Sequence, residues 1–232
     1  MSEEPMERGT WLRRLNAAPA QRPAEFTMFD RTWELMDGVF APVFCLSTRL
    51  FTEWTVFPVG GRFLEIGCGA GVTAVMAAVH GCAEVVATDV SVVAVENAAR
   101  NVRRHGVADV VRVRHGDLFA PLDPGDRFDV VFWNSPFIEA PDDFRAADDL
   151  DHAIFDAGYR THRRFLAEVG SWLTPDGRAL LGFSTLGNLD TLHDLARDAD
   201  LAVRMAAETP PGTVPGMAYQ LVELRNRDRS RA

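Results

Sequence analysis

"RFLEIGCGAGVTAV", residues 62–75, decides the fold. A short apolar run closes on glycines at 67, 69 and 71, and a helical pattern opens at Val72. Glycine adopts backbone angles that other residues avoid and lets the main chain approach a ligand closely. Strand, glycine turn and helix in this order begin a βαβ unit whose turn faces a binding crevice. An acid, Glu65, stands two residues ahead of the first glycine.

Downstream of Gly61, short β-branched runs alternate with helical stretches. The pattern predicts strands near Arg62–Ile66, Glu84–Thr88, Val110–His115, Phe128–Trp133 and Ala179–Phe183. It places helices over roughly Val72–His80, Val92–His105, Tyr159–Leu173 and Leu189–Ala199. Apolar runs joined by helical crossovers form a parallel sheet with helices on both faces. "LAVRMAAE" (201–208) and "AYQLVELR" (218–225) are separated by a Pro/Gly loop instead of a helix and predict an antiparallel hairpin closing the sheet. The expected architecture is α/β, a doubly wound sheet of about seven strands, mostly parallel. Residues 1–60, with aromatics scattered through helical patterns, are expected to form a helical cap or lid, and residues 61–232 the ligand-binding domain. The arginine-rich end "RNRDRSRA" reads as a frayed tail.

The G-x-G-x-G spacing differs from the G-x-G-x-x-G of a dinucleotide site and favours a ligand without a pyrophosphate. Asp89, 22 residues beyond Gly67, ends the second strand, where an acid accepts hydrogen bonds from ribose hydroxyls; capping the next helix is its plainer use. After the third strand comes "HGDLF" (115–119), in which Asp117 can accept from an adenine amino group and Leu118 can pack the base.

These pieces in this order resemble class I S-adenosylmethionine (SAM)-dependent methyltransferases, over about residues 61–225. The resemblance implies a Rossmann-like fold with SAM as cofactor. It places Glu65 and Gly67, Cys68, Gly69 and Gly71 near the methionine part, Asp89 with Val90 at the ribose, and Asp117 and Leu118 at the adenine. "NSPF" (134–137) is similar to the [Asn/Asp/Ser]-Pro-Pro-[Tyr/Phe/Trp] motif of the branch that methylates amide or amine nitrogens, with Ser135 in place of the first proline. A nitrogen attacking the methyl group must keep its lone pair on carbon while acceptors hold its N–H groups. The Asn134 side-chain oxygen and the carbonyl of residue 135 can both accept, and Phe137 can stack on a substrate or meet the sulfonium. Tyr159, at a helix start, and Ser184, at the end of the fifth strand, are further candidates bordering the crevice. His152 and His162 are considered as bases, with a surface role expected for each.

Composition narrows the chemistry. All 24 basic residues are arginine, so Schiff-base chemistry and a P-loop lysine are excluded. The net charge of −9 offers no basic field for nucleic acid or an anionic membrane. The segment 138–158 carries seven acids against one base, Arg145, and is expected to be an acidic flap or solvated loop beside the site. Cys45, Cys68 and Cys82 have no C-x-x-C spacing, and neither they nor the histidines form a metal-ligand pattern. No leader or spanning apolar run is evident, so a cytoplasmic protein is expected, with oligomeric state undetermined. The leading expectation is alkylation of a nitrogen on a small-molecule amine. The alternatives are cyclisation of SAM alone to azetidine-2-carboxylate with release of methylthioadenosine, and a non-catalytic SAM-binding subunit.

Overall fold

The computed structural model describes residues 3–227. In chain order its elements are α1 (Glu3–Ala17), β1 (Glu25–Met28), β2 (Arg31–Glu34), α2 (Ser47–Trp54), β3 (Arg62–Ile66), α3 (Val72–Val79), β4 (Glu84–Asp89), α4 (Val92–Arg104) and β5 (Val111–His115). There follow β6 (Phe128–Asn134), β7 (Ile138–Ala140), α5 (Asp149–Ile154), β8 (Phe155–Ala157), α6 (Arg160–Val169), β9 (Leu173–Ser184), α7 (Leu189–Asp198), β10 (Leu201–Glu208) and β11 (Tyr219–Asn226).

Seven strands form the central sheet in the order β10-β11-β9-β6-β3-β4-β5. Five are parallel, and β11 runs antiparallel between β9 and β10, as the tail pattern predicted. Phe63, Val130 and Phe132 point to one buried face with α3, α4 and Phe51 of α2. Leu64, Val86, Val131 and Leu181 point to the other, against Phe165 and Leu166 of α6 and Leu195 of α7. Burial on both faces is why these strands read as unbroken apolar runs.

The chain moves outward from β3 through β4 to β5, then returns to place β6 on the other side of β3. The order reverses there, and such a switch point opens a crevice at the carboxyl ends of the strands. Ile66 pairs with Trp133 across the β3–β6 ladder, so Gly67 and Asn134 leave the sheet side by side.

Three segments differ from expectation. Between the helices α1 and α2, residues 25–34 form the hairpin β1–β2. Its turn residues Phe29 and Asp30 both have positive φ, 55° and 54°, a conformation that usually carries Gly or Asn and so left no mark in the sequence. Two buried asparagines of α4 dock the hairpin. Asn101 accepts from Glu34 N–H and donates to the carbonyls of Glu34 and Ala70, while Asn97 accepts from Met36 N–H and donates to Glu34. Asn101 thereby ties this segment to the glycine turn.

The acidic stretch 138–158 is only in part a solvated loop: Asp142, Asp143, Asp148 and Asp149 are exposed, whereas Asp151 and Asp156 are buried. Its two short strands, β7 and β8, pair in parallel around α5. Asp151 is buried and takes Arg13 Nε at 2.9 Å and Ala147 N–H at 2.7 Å. Asp148 caps α5 and takes a second nitrogen of Arg13 at 2.7 Å. Asp148 and Asp151 thus share one partner that lies far away in sequence. Of the arginine-rich end, Arg225 and Asn226 finish β11 and are not frayed, while 228–232 lie outside the described residues.

Candidate active site

The turns after β3, β4 and β6 converge on one cavity of about 980 Å³. This is the upper end of the roughly 300–1,000 Å³ range of ligand pockets, with room for a nucleoside and a second group. Glu65, Gly67, Cys68, Gly69, Asp89, Val90, Asp117 and Leu118 line one lobe. Asn134, Ser135 and Phe137 line the wall beside it, and Leu12, Phe44, Met217 and Tyr219 extend it toward the surface.

Gly67, Gly69 and Gly71 all have positive φ, 65°, 53° and 78°. A Cβ on Gly69 would meet nothing within 4 Å, so the turn leaves open crevice where a ligand would lie. Gly71 does not line the cavity; it caps α3, and a Cβ there would come to 3.0 Å from Ala98 Cα and Cβ.

Glu65 is 4% exposed and accepts from Ala74 N–H at 2.8 Å. Burial pushes its carboxyl up to about 8, against the pull of hydrogen bonds from Thr73 and Ala74. Asp89 accepts from Gly69 N–H and Ser91 N–H, each at 2.9 Å, and burial raises it despite those bonds. The cap of α4 is Ser91, whose side chain accepts from Ala94 N–H, so Asp89 holds the glycine turn rather than capping that helix. The open turn and the two acids held against it suit a cationic nucleoside such as SAM. Asp117 is exposed and pairs with Arg164 at 2.7 Å, and Leu118 takes φ 49°.

Asn134 Nδ2 donates to Ser47 Oγ, at the start of α2, across a long 3.5 Å. Tyr159 and Ser184, expected at the crevice, do not line the cavity. The Tyr159 hydroxyl donates to Phe137 O at 2.6 Å and accepts from Asn188 N–H at 2.8 Å; the Ser184 hydroxyl accepts from Leu186 N–H at 3.0 Å. Both are buried and hold loops. Of the histidines, His152 is exposed on the cavity lining, whereas His162 is fully buried between Asp156 and Ser135, contrary to the surface role expected. A signal was present: His162, Phe165, Leu166 and Val169 share one face of α6 at helical spacing. Among the described residues no cluster of His, Cys, Asp or Glu could hold a metal, and no helix is long and apolar enough to cross a membrane.

The chain is 41% identical over 127 residues to ribosomal protein uL3 glutamine methyltransferase of Bradyrhizobium diazoefficiens, a match covering 50% of this chain and 38% of that protein. It is 34% identical over 117 residues to ribosomal RNA small subunit methyltransferase C of Alcanivorax borkumensis, covering 50% of this chain and 30% of the relative. The chain thus spans well under half the length of these relatives. A crystal structure of a methyltransferase from Pyrococcus furiosus shares the fold at TM-score 0.60 and 20% identity, covering 97% of this chain and all of the other. The relatives' names correct the acceptor expected from sequence: those proteins are named for a ribosomal protein and for ribosomal RNA, macromolecules rather than a small-molecule amine or SAM acting alone. Residues 36–185, from the end of the β1–β2 segment to just past β9, match the methyltransferase small domain, and the chain belongs to that family, as a class I methyltransferase with SAM as its cofactor.

Proposed function

We infer that the protein methylates the side-chain amide nitrogen of a glutamine presented by a protein substrate. The observation that carries this reading is the pairing of Ile66 with Trp133, which brings the glycine turn and Asn134 out of the sheet together into one cavity. SAM, when bound, supplies a methyl group on a cationic sulfur. The chain's own contribution is orientation. An amide nitrogen is a weak nucleophile because its lone pair is conjugated. Two acceptors, Asn134 Oδ1 and the carbonyl of Ser135, can hold its two N–H groups and leave the lone pair facing the methyl carbon. Phe137 can pack on the planar amide. Neither acceptor can protonate the nitrogen, which loses one proton as the methyl group arrives.

The mouth of the cavity supports a polypeptide. Trp11 and Leu46 lie on its lining yet are 59% and 44% exposed, an apolar rim of the kind that docks partners. Glu4, Glu7 and Asp149, all exposed, add negative charge there. With a net charge of −9, this rim favours a basic peptide over a phosphate backbone. The segment 3–60 serves in this reading as a lid, with Glu65, Gly67, Cys68, Gly69, Asp89, Val90, Asp117 and Leu118 holding SAM. A reducing, cytoplasmic setting goes with it, since Cys45, Cys68 and Cys82 are free thiols.

The test is incubation with methyl-labelled SAM and a panel of glutamine-containing basic peptides, read by mass spectrometry. A methyl group on glutamine, lost in Asn134→Ala while SAM affinity stays within about threefold, supports the reading. Label accumulating on RNA, or methylthioadenosine without any acceptor, overturns it.

A further inference from the structure

Ser135 stands where the motif resembled by NSPF has its first proline, and it is held from two sides. Its N–H and its hydroxyl both run to the carbonyl of Gly182 in β9, at 3.3 and 2.8 Å. His162 Nε2 lies 3.0 Å from the same hydroxyl oxygen, and His162 Nδ1 lies 2.7 Å from Asp156 Oδ2. Asp156 also accepts the main-chain N–H groups of Thr161 and His162, at 3.0 and 2.8 Å, where α6 begins. All three side chains are buried. The rings of Trp133, Tyr159 and Phe183 pack around the imidazole at 4.8, 4.5 and 5.9 Å.

The protons of this chain can be counted. The Gly182 carbonyl only accepts, so the 2.8 Å contact uses the single hydroxyl proton of Ser135. The 3.0 Å contact sets His162 Nε2 against the same oxygen. Burial pushes the Asp156 carboxyl up, but the bond and charge of His162 and the two N–H groups outweigh it and hold the group below the usual carboxylate range. The 2.7 Å contact therefore takes a proton on Nδ1. The contacts thus run without a break from Asp156 through His162 and Ser135 to the carbonyl of Gly182. The titratable groups facing the imidazole are Asp156 and Tyr159, and Tyr159 is itself engaged by Phe137 and Asn188, with Glu139 acting on it from β7.

A proline ring fixes φ, whereas serine leaves it free. We propose that Asp156 and His162 are positioning residues for methyl transfer, acting through Ser135 as a hydrogen-bonded substitute for the missing proline and thereby aiming the residue-135 carbonyl and Asn134 at the acceptor nitrogen. This rests on the reading of that turn as the acceptor site. A histidine that merely filled the core would not be made dispensable by restoring a proline at position 135.

The test has two arms. In ligand-free wild-type protein, ¹H NMR is expected to show the His162 ring N–H held by Asp156 as a slowly exchanging signal; a ring proton that exchanges as fast as that of an exposed histidine overturns the proposal. With the glutamine peptide, His162→Gln is expected to lower kcat at least tenfold while SAM affinity and KM move less than threefold. Adding Ser135→Pro should restore kcat to within threefold of Ser135→Pro alone, and failure of that rescue in a folded protein overturns the proposal. If His162→Gln does not fold, Ser135→Ala takes its place, since it cuts the chain while leaving the Asp156–His162 pair intact: kcat unchanged in that variant overturns the proposal, and the same tenfold fall supports it. If wild-type protein methylates no glutamine, the acceptor reading has failed while the NMR arm still decides whether the clamp is formed.

Discussion

Replacing Glu65 by glutamine should remove one proton's worth of pH dependence from the stability of the ligand-free protein. Glu65 lies under the glycine turn with its carboxyl raised from 4.5 to about 8 by burial. Between those values the folded protein keeps a proton that the unfolded chain releases. The native state then binds more protons, so stability is full below pH 4.5, falls as pH rises through this window, and levels off above about 8. At about 1.4 kcal/mol per pH unit, moving from pH 5 to 7.5 takes away roughly 3 kcal/mol. For a chain of this size that corresponds to roughly 6–12 °C in Tm. Glutamine keeps an acceptor for Ala74 N–H and has no proton to lose. Urea unfolding and calorimetry of both proteins across pH 5–8 should therefore show curves that diverge by roughly 3 kcal/mol, the variant gaining relative to wild type as pH rises. A cationic ligand in the cavity favours the carboxylate. SAM binding at pH 7 should accordingly release about one proton in wild type and none in the variant, measured by titration calorimetry in two buffers of different ionisation enthalpy. Stability curves that stay parallel within about 1 kcal/mol would refute the assignment of a protonated Glu65.

Gly71→Ala should destabilise the fold by about 1–2 kcal/mol for the left-handed backbone alone, and by more because the new Cβ meets Ala98 at 3.0 Å; urea midpoints measure it. Asp89→Asn keeps the shape of the side chain but loses the charge that holds Gly69 N–H, and SAM affinity by calorimetry should fall about 10–100-fold, as expected for lost charge-assisted hydrogen bonds. Arg13→Ala leaves buried Asp151 without its guanidinium partner, and hydrogen exchange across 138–157 should quicken by about 10-fold or more while the central strands stay protected.

The β3–glycine–α3 unit, the mostly parallel sheet and its closing hairpin were legible because hydrophobic period and glycine placement are local signals, whereas the order of the strands came only with the fold. Asn134 was legible for the same reason, as the end of an apolar strand. The β1–β2 hairpin was not, because its turn uses Phe29 and Asp30 at positive φ without a glycine. Asp148 and Asp151 look solvated in sequence, and only folding shows that Arg13, 138 residues away from Asp151, pairs with both. Tyr159 and Ser184 were placed correctly at strand and helix ends, but those ends do not say which way a side chain turns. His162 was assigned to the surface because six histidines lie scattered along the chain, a general expectation that the apolar phase of α6 overrides.

The ladder joining β3 to β6 has one more consequence. The spacing between the glycine turn and Asn134 is set by main-chain hydrogen bonds inside a sheet, where strands lie about 4.8 Å apart and slip only in whole residues of about 3.3 Å. The two sides of the cavity therefore behave as jaws of fixed gauge, which cannot be tuned by small sequence change. What enters between them can be. The walls that face outward belong to α1, the start of α2 and the 210–217 loop, with Arg8 of α1 bonded to the Pro215 carbonyl across the opening. A change of substrate in this protein would be written in those surface pieces, with the distance over which the methyl group travels left untouched.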